Sequence, residues 1–458
     1  MMLLSEAAAL LNANFGPVDA KFSGVSTDSR TLARGELFVA LRGERYNGHE
    51  FLKSVAAGGA AAALVDEACP GQTFLPLIRV ADTHKALGAL ARAWRSMMSL
   101  EVIAVAGSNG KTTTKEMIAA ILKCHAGETG VLATAGNLNN EIGVPLTLLK
   151  LRRTHRYAVV ELGMNHRGEI ARLAALVQPT VAVVTNAQRE HLEFMGSAMD
   201  AAQENADIYR ALPAEGTAII NFDDPCRKIF EKAASGRKTI SFGLDAAADI
   251  SGRFEPDVLS SSVALNLPGG GVRATLSIPG VHSVRNALAA AAAGHAVHVG
   301  PKAIGEGLEM FRPYSGRLQL GRAAFGATLI DDSYNANPDS VRAAIDVLAS
   351  ASGPKILILG DMGEVGQHGP ALHHEIGDYA RQQGVDELLA LGDATLHAVR
   401  AFGPNAQHFG NWQSLAQKAC ETATADATLL VKGSRFMRME RVVRALQGRE
   451  TAPACGGG

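Results

Sequence analysis

The stretch Ala104–Lys115, Ala-Val-Ala-Gly-Ser-Asn-Gly-Lys-Thr-Thr-Thr-Lys, carries residue types that can hold a phosphate group. An apolar, β-branched run precedes two glycines, and Lys111 and Thr112 follow them where a helix is expected to begin. A strand, a glycine turn and a helix N-terminus direct backbone N–H groups and the helix dipole at an anion. A lysine there can reach the β- and γ-phosphates, and a threonine hydroxyl can ligate Mg²⁺. The stretch predicts an ATP site made by Gly107, Ser108, Asn109, Gly110, Lys111, Thr112 and Thr113.

This stretch departs from the usual phosphate-loop pattern, because Val105 stands where the first glycine is expected. A glycine-rich turn alone is a weak signal, since such turns are common in α/β proteins. Gly-Lys-Thr directly after a strand and at the start of a helix is a stronger signal. An ordinary turn between a strand and a helix is the alternative interpretation.

Polar residues follow two other apolar runs that read as strands. Glu161 comes directly after 157–160, and His191 lies shortly after 181–184. If these strands belong to one parallel sheet, their carboxyl ends can converge on the phosphate loop. Thr112, Glu161 and His191 are therefore predicted to hold Mg²⁺, although Mg²⁺ more often takes oxygen ligands than imidazole. A solvated carboxylate and a structural histidine are the alternatives.

The loop Thr134–Pro145 holds Asn137, Asn139 and Asn140 between two glycines. Asparagine side chains can hydrogen-bond a sugar or a diphosphate, but they also occupy turn positions in ordinary capped loops. Both interpretations stay open for this loop.

Later in the chain, Arg317 lies in Ser315-Gly-Arg317, and Asp331-Asp-Ser-Tyr-Asn-Ala-Asn-Pro338 follows an apolar run. An arginine on a neighbouring domain can close over a γ-phosphate. Asp332 can accept from ribose hydroxyls, and Tyr334 or Asn335 can lie against a base. A surface arginine and an Asx/Pro turn are the alternatives.

These residues need elements that position them, and the 458-residue length predicts two to three domains. Three blocks emerge: residues 1–82, 83–312 and 313–458. Apolar runs alternate with helical stretches, which predicts α/β domains with mostly parallel sheets: a small N-terminal domain, a central P-loop-type ATPase domain and a C-terminal Rossmann-like domain. In the third block the polar residues at strand ends include Asp361, Lys432, Ser434 and Arg435.

The composition excludes some kinds of partner. With 44 basic and 45 acidic residues, the chain gives no electrostatic reason to bind nucleic acid or an anionic membrane. Five scattered cysteines with no C-x-x-C pair predict a reducing cytoplasm, with neither a disulfide framework nor a zinc site. Met1–Phe15 lacks a basic start and reads as a short amphipathic helix, not a signal peptide. No apolar run approaches the ~18 residues of a membrane span.

Taken together, these strings resemble the Mur ligases of peptidoglycan synthesis over nearly the whole chain. The resemblance lies in Gly107–Lys115, the asparagine loop, the Glu161 strand, His191, Pro279–Asn286 and Ser315–Arg317. Three further strings point to the member of this family that joins D-alanyl-D-alanine to UDP-N-acetylmuramoyl-tripeptide. They are Ser26–Arg30 with Arg42-Gly43, Asp331–Pro338 and Leu359–Gly366.

The resemblance implies that ATP phosphorylates the terminal carboxylate of the UDP-linked peptide, and that the dipeptide amine then attacks the acyl phosphate. It implies that Lys111, Glu161, His191 and Arg317 serve catalysis. It also implies that Asn286, Arg317, Asp332, Tyr334 and Asn335 hold ATP. The substrates are expected to meet Ser29, Arg30, Asn137, Asn139, Asn140, Asp361, Lys432, Ser434 and Arg435.

Two positions depart from the family pattern. The family usually carries a lysine that becomes carbamylated where this chain has Asn205, and an asparagine cannot form a carbamate. The neighbouring Glu204 could supply a carboxylate instead, although adjacent helical residues point about 100° apart. Ser283 replaces an asparagine, a milder change because serine keeps donor and acceptor capacity.

Other interpretations are less well supported. The family member that adds the third peptide residue should carry an Asp-Asn-Pro-Arg string, and another member should begin with a Rossmann Gly-x-Gly-Gly turn; this chain has neither. Folylpolyglutamate synthase would lack the N-terminal domain. A catalytically inactive ATP-binding scaffold is favoured by Asn205 alone.

We expect the protein to be a monomer. We also expect its third block to close as a rigid body, because Arg317 and Asp332 lie far in sequence from Lys111.

Overall fold

The computed structural model describes residues 1–69, 75–190, 192–256, 260–324 and 326–449, and three α/β domains follow one another along them. The predicted fold class is confirmed. In the first domain the strands are Met2–Leu3 (β1), Asn14–Phe15 (β2), Lys21–Phe22 (β3), Val25–Ser26 (β4), Leu37–Val39 (β5), Ala62–Asp66 (β6) and Leu77–Val80 (β7). Its helices are Leu4–Leu10 (α1) and Leu52–Ala57 (α2), and Thr83–Ser96 (α3) leads into the second domain.

The first domain is built on a five-stranded sheet in the order β2-β7-β6-β5-β4, with only β2 antiparallel to its neighbour. A separate antiparallel pair, β1 and β3, lies beside it. The helix predicted over Met1–Phe15 is wrong in extent, because α1 covers only Leu4–Leu10. Asn12 adopts a left-handed backbone conformation with φ 50°, which prevents the helix from continuing into β2.

The central domain contains the strands Glu101–Ala106 (β8), Val131–Ala133 (β9), Tyr157–Glu161 (β10), Val181–Val184 (β11), Thr217–Asn221 (β12), Lys238–Phe242 (β13), Ser251–Pro256 (β14), Ser261–Leu267 (β15) and Gly270–Leu276 (β16). Its helices are Lys111–Ala126 (α4), Gly143–Leu148 (α5), Glu169–Val177 (α6), Leu192–Met195 (α7), Ala198–Arg210 (α8), Arg227–Ala233 (α9), Val281–Ala296 (α10) and Pro301–Met310 (α11).

Six parallel strands form the central sheet in the order β13-β12-β11-β8-β10-β9. From β8 the chain builds first towards β9 and then returns to the other side through β11, so the carboxyl end of β8 lies at a topological switch point. Ligands of open α/β sheets bind at such points. β8 is buried from Val102 to Ala106, as expected for a strand covered on both faces. An antiparallel sheet of β14, β15 and β16 lies alongside.

The third domain contains the strands Gln319–Arg322 (β17), Thr328–Asp332 (β18), Lys355–Gly360 (β19), Glu387–Leu391 (β20), Ala406–Phe409 (β21) and Thr428–Lys432 (β22). Its helices are Pro338–Ala349 (α12), Gly369–Gln382 (α13), Thr395–Phe402 (α14), Trp412–Thr422 (α15) and Glu440–Leu446 (α16). The sheet order is β17-β18-β22-β19-β20-β21, and only β17 runs antiparallel to its neighbour.

Two expectations about the chain as a whole can be compared with this fold. Across the described residues, no helix combines the length and apolar character needed to cross a membrane. Cys124 and Cys226 are free thiols, whereas Cys420 is disulfide-bonded, which the scattered cysteines did not predict.

Candidate active site

A cleft of about 1310 Å³ lies between the central and third domains. Most of the residues singled out in the sequence line it, although they are spread over more than 300 positions. From the central domain these are Ser108, Asn109, Gly110, Lys111, Thr112, Thr113, Asn137, Asn139, Asn140, Glu161 and Asn286. From the third domain they are Arg317, Asp332, Tyr334, Asn335, Lys432, Ser434 and Arg435. The structure therefore brings most of the nucleotide and substrate candidates, and two of the three metal candidates, to one place.

Glycine is required at two positions of residues 107–113, which are predicted to hold phosphate and are called the phosphate loop here. Gly107 and Gly110 have φ values of 124° and 80°, which side-chain-bearing residues rarely adopt. A Cβ at Gly107 would lie 2.1 Å from the Thr185 hydroxyl, and one at Gly110 would lie 2.4 Å from Asn286 Oδ1. The loop can pass this closely because it lacks side chains there, and α4 begins at Lys111 immediately afterwards. This is the strand–turn–helix geometry that the sequence predicted, and such a geometry can bind an anion.

Lys111 folds back onto its own loop. Its Nζ donates to the carbonyl oxygens of Gly107 at 2.5 Å and Ser108 at 2.9 Å, and it lies 3.3 Å from Glu190 Oε2. The ammonium is therefore held beside the helix N-terminus by loop carbonyls and a buried carboxylate. Phosphate oxygens can compete for the same ammonium hydrogens, so the lysine is placed for charge neutralisation.

Glu161 ends β10 and is buried, with 2 % of its surface exposed. Its Oε1 accepts a hydrogen bond from Asn139 at 2.8 Å, while Oε2 is buried and finds no hydrogen-bond partner within the described residues. A buried carboxylate oxygen without a partner is costly unless a cation or donor satisfies it.

Those atoms fit Mg²⁺, which is commonly held by one or two carboxylates together with substrate phosphates. Thr112 is buried on the same cleft and can add a hydroxyl oxygen. A protein-only metal cage is absent: no group of three or more His, Cys, Asp or Glu is suitably placed among the residues that the structure describes. His191 lies outside those residues, and its metal role stays a prediction.

Asn205 contacts the phosphate loop directly. Its Oδ1 accepts from the Gly107 N–H at 2.8 Å, and its Nδ2 donates to the Ala201 carbonyl at 2.9 Å, with 1 % of the residue exposed. Glu204 points elsewhere: its two oxygens accept from the N–H groups of Gly168 and Ile170 at 2.8 and 2.9 Å, at the start of α6. Glu204 therefore caps a helix and does not replace a metal-binding carboxylate.

The start of α10 covers the phosphate loop. Asn286 packs against Gly110, and His282 lines the cleft nearby. His282 as a whole is only half-buried, but desolvation of its imidazole lowers its pKa to about 4. The ring is therefore neutral near pH 7 and adds no positive charge to the nucleotide side of the cleft. Ser283, the milder departure from the family pattern, donates to the Pro279 carbonyl at 2.8 Å within its own helix start.

The third-domain side of the cleft adds further positive charges, among them Arg317 and Lys432. Arg317 lies with its guanidinium carbon 4.1 Å from the Tyr334 ring centroid, a cation–π distance. Its Nε is buried and has no hydrogen-bond partner in the described part of the chain. Asp332 accepts from the Leu318 N–H at 3.2 Å and pairs with the buried Lys432 at 2.5 Å. Lys432 also donates to the Asn335 carbonyl at 3.0 Å.

Three candidates have contacts that favour a structural role. Ser434 donates to the Ala336 carbonyl at 3.0 Å and accepts from the Gly363 N–H at 2.7 Å, so its hydroxyl is satisfied by the protein. Asn140 Oδ1 accepts from Gly143 N–H at 2.9 Å, the capped-loop alternative. Asp361 does not line the cleft, because its carboxylate turns away from it to accept from the Thr395 N–H at 2.8 Å.

The first-domain candidates lie apart from this cleft. Ser29 and Arg30 are absent from its lining, and Arg30 forms an ion pair with Asp28 at 2.7 Å while 85 % of its side chain is exposed. Their role therefore stays a prediction about a separate, more open surface.

Several residues that position the site were missed in the sequence. Glu190 touches Lys111, Asn186 holds the phosphate loop, and Arg189 and Asn337 join two domains. All except Asn337 lie in the string Asn186-Ala-Gln-Arg-Glu-His191, which drew attention only through its histidine. A run of polar residues directly after a buried strand was the available signal.

Comparison with known proteins agrees with this geometry. Three family descriptions match the chain: "Mur ligase family, catalytic domain" over residues 21–95, "Mur ligase middle domain" over 105–294 and "Mur ligase, glutamate ligase domain" over 316–435. The UDP-N-acetylmuramoyl-tripeptide–D-alanyl-D-alanine ligase of Escherichia coli K12 is 41% identical over 98% of this chain and 99% of its own. The chain belongs to the Mur ligase family. It is a ligase by that membership.

Two further relatives support the assignment. The enzyme of the same name from Haemophilus influenzae is 36% identical over 95% of this chain and 95% of its own. A crystal structure of MurF from Acinetobacter baumannii superimposes with a TM-score of 0.89 at 34% identity, covering 98% of this Mur ligase and 99% of that chain. The resemblance stated from the motifs is therefore confirmed over the whole length.

Proposed function

We propose that this Mur ligase joins D-alanyl-D-alanine to UDP-N-acetylmuramoyl-tripeptide and converts ATP to ADP and phosphate. The observation that carries the proposal is the phosphate loop facing a buried glutamate on one side and Arg317 and Lys432 across the cleft. Relatives that bear this name over 95% or more of their length support the choice of substrates.

The chemistry requires a carboxylate to become an electrophile. Phosphorylation turns one carboxylate oxygen into a good leaving group, and the dipeptide amine can then attack the carbonyl carbon. Dense negative charge builds up during both steps, so preorganised positive groups lower the barrier. Lys111 is the group on the central side, held beside the helix N-terminus by two loop carbonyls.

Mg²⁺ is the implied metal, and Thr112, Glu161 and His191 would hold it. When bound, the ion would neutralise charge on the phosphates. Asn139 orients Glu161 through its 2.8 Å hydrogen bond, which leaves the other carboxylate oxygen available to the cation. The nucleotide itself would contact Gly107–Thr113 and Asn286, with Asp332, Tyr334 and Asn335 from the third domain.

Arg317 and Lys432 supply positive charge from the other side. Arg317 has a buried Nε without a partner in the described residues, so one donor is free for a phosphate or acyl-phosphate oxygen. Lys432 is neutralised by Asp332 and can release it when an anionic ligand enters. Arg435, with 62 % of its side chain exposed, can meet the carboxylate of the incoming dipeptide.

We also propose a division of labour among the domains. Residues 1–82 bind the UDP-sugar-peptide through Ser29 and Arg30, 83–312 bind ATP, and 313–458 close over it and receive the dipeptide. The asparagine loop, with Asn137, Asn139 and Asn140, lies on the cleft wall and supports a contact to the peptide-bearing substrate.

The test is phosphate release from ATP and Mg²⁺ with UDP-N-acetylmuramoyl-tripeptide, with D-alanyl-D-alanine present or withheld. Release that requires the dipeptide, with a product heavier by the dipeptide less water, is the expected result. Glu161→Gln should lower the rate about 100-fold or more, because the amide cannot replace a metal-bound carboxylate. Glu128→Gln, an exposed change just beyond the end of α4, is the control.

No phosphate release under any of these conditions, while ATP still binds, would contradict the proposal and favour an inactive ATP-binding scaffold. Product formation with a single amino acid in place of the dipeptide would instead indicate the family member that extends the peptide by one residue.

A further inference from the structure

The five residues Asn186–Glu190, called the bridge segment here, lie between the phosphate loop and the third domain. On the loop side, Asn186 Oδ1 accepts from the Asn109 N–H at 2.9 Å and its Nδ2 donates to the Asn109 carbonyl at 3.0 Å. Gln188 N–H donates to Ser108 Oγ at 2.9 Å. The conformation of the bridge segment is therefore tied to that of the residues predicted to hold the phosphates.

On its other side the bridge segment grips the third domain through Arg189. The Arg189 N–H donates to Asp339 Oδ2 at 2.8 Å, and its guanidinium donates to Asp339 Oδ1 at 3.0 and 2.7 Å. Two further bonds reach Glu375 at 2.8 and 2.9 Å. Asp339 lies in the first turn of α12 and Glu375 lies in α13, so one arginine makes five hydrogen bonds across the domain boundary.

The hydrogen bonds from Arg189 to Asp339 and Glu375 are stronger than hydrogen bonds between neutral groups. A guanidinium shared by two carboxylates forms charge-assisted, bidentate hydrogen bonds. Arg189 is also partly shielded, with 31 % of its side chain exposed, so solvent screens the charges less than on an open surface. The hydrogen bonds from Arg189 hold the pKa of Glu375 below its usual range.

A second contact joins the same two domains. Asn109 Nδ2 donates to Asn337 Oδ1 at 3.3 Å, and Asn337 Nδ2 donates back to Asn109 Oδ1 at 2.9 Å. Asn337 is the N-cap of α12, one residue before the helix and two before Asp339. The start of α12 is therefore held by the phosphate loop itself and by Arg189 at once.

We propose that Arg189 is a positioning residue which, with the Asn109–Asn337 pair, couples the phosphate loop to docking of the third domain. The coupling keeps Arg317 and Lys432 facing Lys111 across the cleft when the third domain is docked. The activity readout below rests on the proposed function, whereas the shape readout needs only nucleotide binding.

The first measurement is small-angle X-ray scattering of the full chain, with and without a non-hydrolysable ATP analogue and Mg²⁺. Arg189→Met removes every hydrogen bond that the Arg189 side chain makes to the third domain and leaves the Asn109–Asn337 pair in place. We expect the ratio of docked to undocked molecules to fall about 10- to 100-fold, the change produced by losing charge-assisted hydrogen bonds. The radius of gyration with analogue should therefore exceed that of the wild type, while the melting temperature changes by a few degrees at most.

Arg342→Met is the matched control. Arg342 also donates to Glu375, at 3.0 Å, and its guanidinium lies 4.0 Å from the Tyr379 ring centroid, but both partners belong to its own domain. This variant should keep the scattering profile of the wild type. Equal expansion of Arg342→Met and Arg189→Met would show that loss of an ion pair to Glu375, and not a link between domains, is responsible, and would overturn the proposal.

Kinetics provide the second measurement. Arg189→Met should lower kcat/KM about 10- to 100-fold, and Arg189→Lys should recover part of it because one ammonium can still reach one carboxylate. Asp339→Asn in the Arg189→Met background should cost less than in the wild type, since the two residues act together.

Two results would overturn the proposal: an Arg189→Met protein as compact as the wild type with analogue, or one whose kcat/KM stays within twofold. If the wild type makes no product, the proposed function fails. The scattering comparison of Arg189→Met with Arg342→Met still decides the link between the domains.

Discussion

The phosphate loop and the third-domain wall face each other across one cleft, but their polar groups have different partners. In the loop, backbone groups bond to neutral side chains of the same domain: Gly107 to Asn205 and Asn109 to Asn186. The opposite wall depends on charges, namely the Asp332–Lys432 pair and the guanidinium of Arg317 against Tyr334.

The difference indicates two ways of preparing for an anion. Neutral hydrogen bonds keep the loop in shape whatever the charge of the ligand, so little reorganisation is needed when phosphate binds. A buried ion pair can exchange partners when an anion enters, but each of its members is costly to leave alone. We therefore expect changes in the phosphate loop to lower mainly the reaction rate. Changes in the third-domain wall should lower the free energy of unfolding as well as the rate.

The largest expected effect comes from the loop. Lys111→Met should lower the rate of phosphate release about 100- to 1,000-fold, because a preorganised donor to the developing charge is lost. The fold should survive, but the free energy of unfolding should fall, since the Lys111 ammonium pairs with the buried Glu190 as well as with loop carbonyls. Steady-state phosphate release and circular dichroism measure the two quantities.

Lys123→Met is the control for this change, because Lys123 lies on the same helix but pairs with the surface residue Glu128 at 2.8 Å. A Lys111→Met protein that retains the wild-type rate would show that the loop lysine does not serve the reaction.

The next effect should come from the buried pair. Asp332→Asn leaves the Lys432 ammonium buried with only the Asn335 carbonyl, and we expect the free energy of unfolding to fall by about 3–5 kcal/mol. Urea denaturation measures it. The double variant Asp332→Asn/Lys432→Met should lose less free energy of unfolding than the sum of the two single variants, because no charge then stays unpaired.

A smaller effect should appear as a pH dependence of the third domain. His373 is buried; its Nε2 accepts from the Met362 N–H at 3.0 Å and its Nδ1 bonds to the Gly369 carbonyl at 2.8 Å. Burial lowers the pKa of this histidine below its ordinary value of about 6.5. The unfolded chain therefore binds the proton more tightly, and the neutral ring stabilises the fold fully above about pH 6.5.

That stabilisation should be lost as the pH falls below about 6.5, by at most ~1.4 kcal/mol per pH unit for one proton. Melting temperatures of the wild type and His373→Asn between pH 7.5 and 5 test this. The variant should show the shallower dependence. Parallel curves would mean that other groups, and not His373, set the acid sensitivity of this domain.

The smallest effect on stability should come from the first domain. Arg30→Ala removes an exposed ion pair with Asp28, so the melting temperature should not change measurably. A rise in KM for the UDP-linked substrate alone would support the proposed contact. Unchanged KM and kcat would remove Arg30 from the site and place substrate recognition elsewhere in that domain.

Much of the fold could be predicted because the signals are local. The buried run of β8, the two glycines and the start of α4 are contiguous. The hydrophobic pattern, the turn residues and the helix start therefore all predict the same strand–turn–helix unit within about 25 residues. The apolar run before Glu161 likewise predicted that this residue lies at a strand end, and the structure places it there in a buried position.

Other residues could not be assigned from their neighbours in sequence. Ser434 and Asp361 follow strands just as Glu161 does, yet their polar atoms are satisfied by Gly363, Ala336 and Thr395. Whether a strand-end side chain faces a ligand or a neighbouring loop depends on where that loop lies, and no local pattern contains this information.

By itself the sequence determined the phosphate loop, the three α/β domains and the family, because each depends on short-range periodicity, turn residues or contiguous motifs. Tertiary structure alone decided that Asn205 holds Gly107, that Glu204 caps α6, and that Arg189 reaches Asp339 from 150 residues away. These contacts depend on how whole elements pack, and packing energy is shared among residues that are distant in the chain.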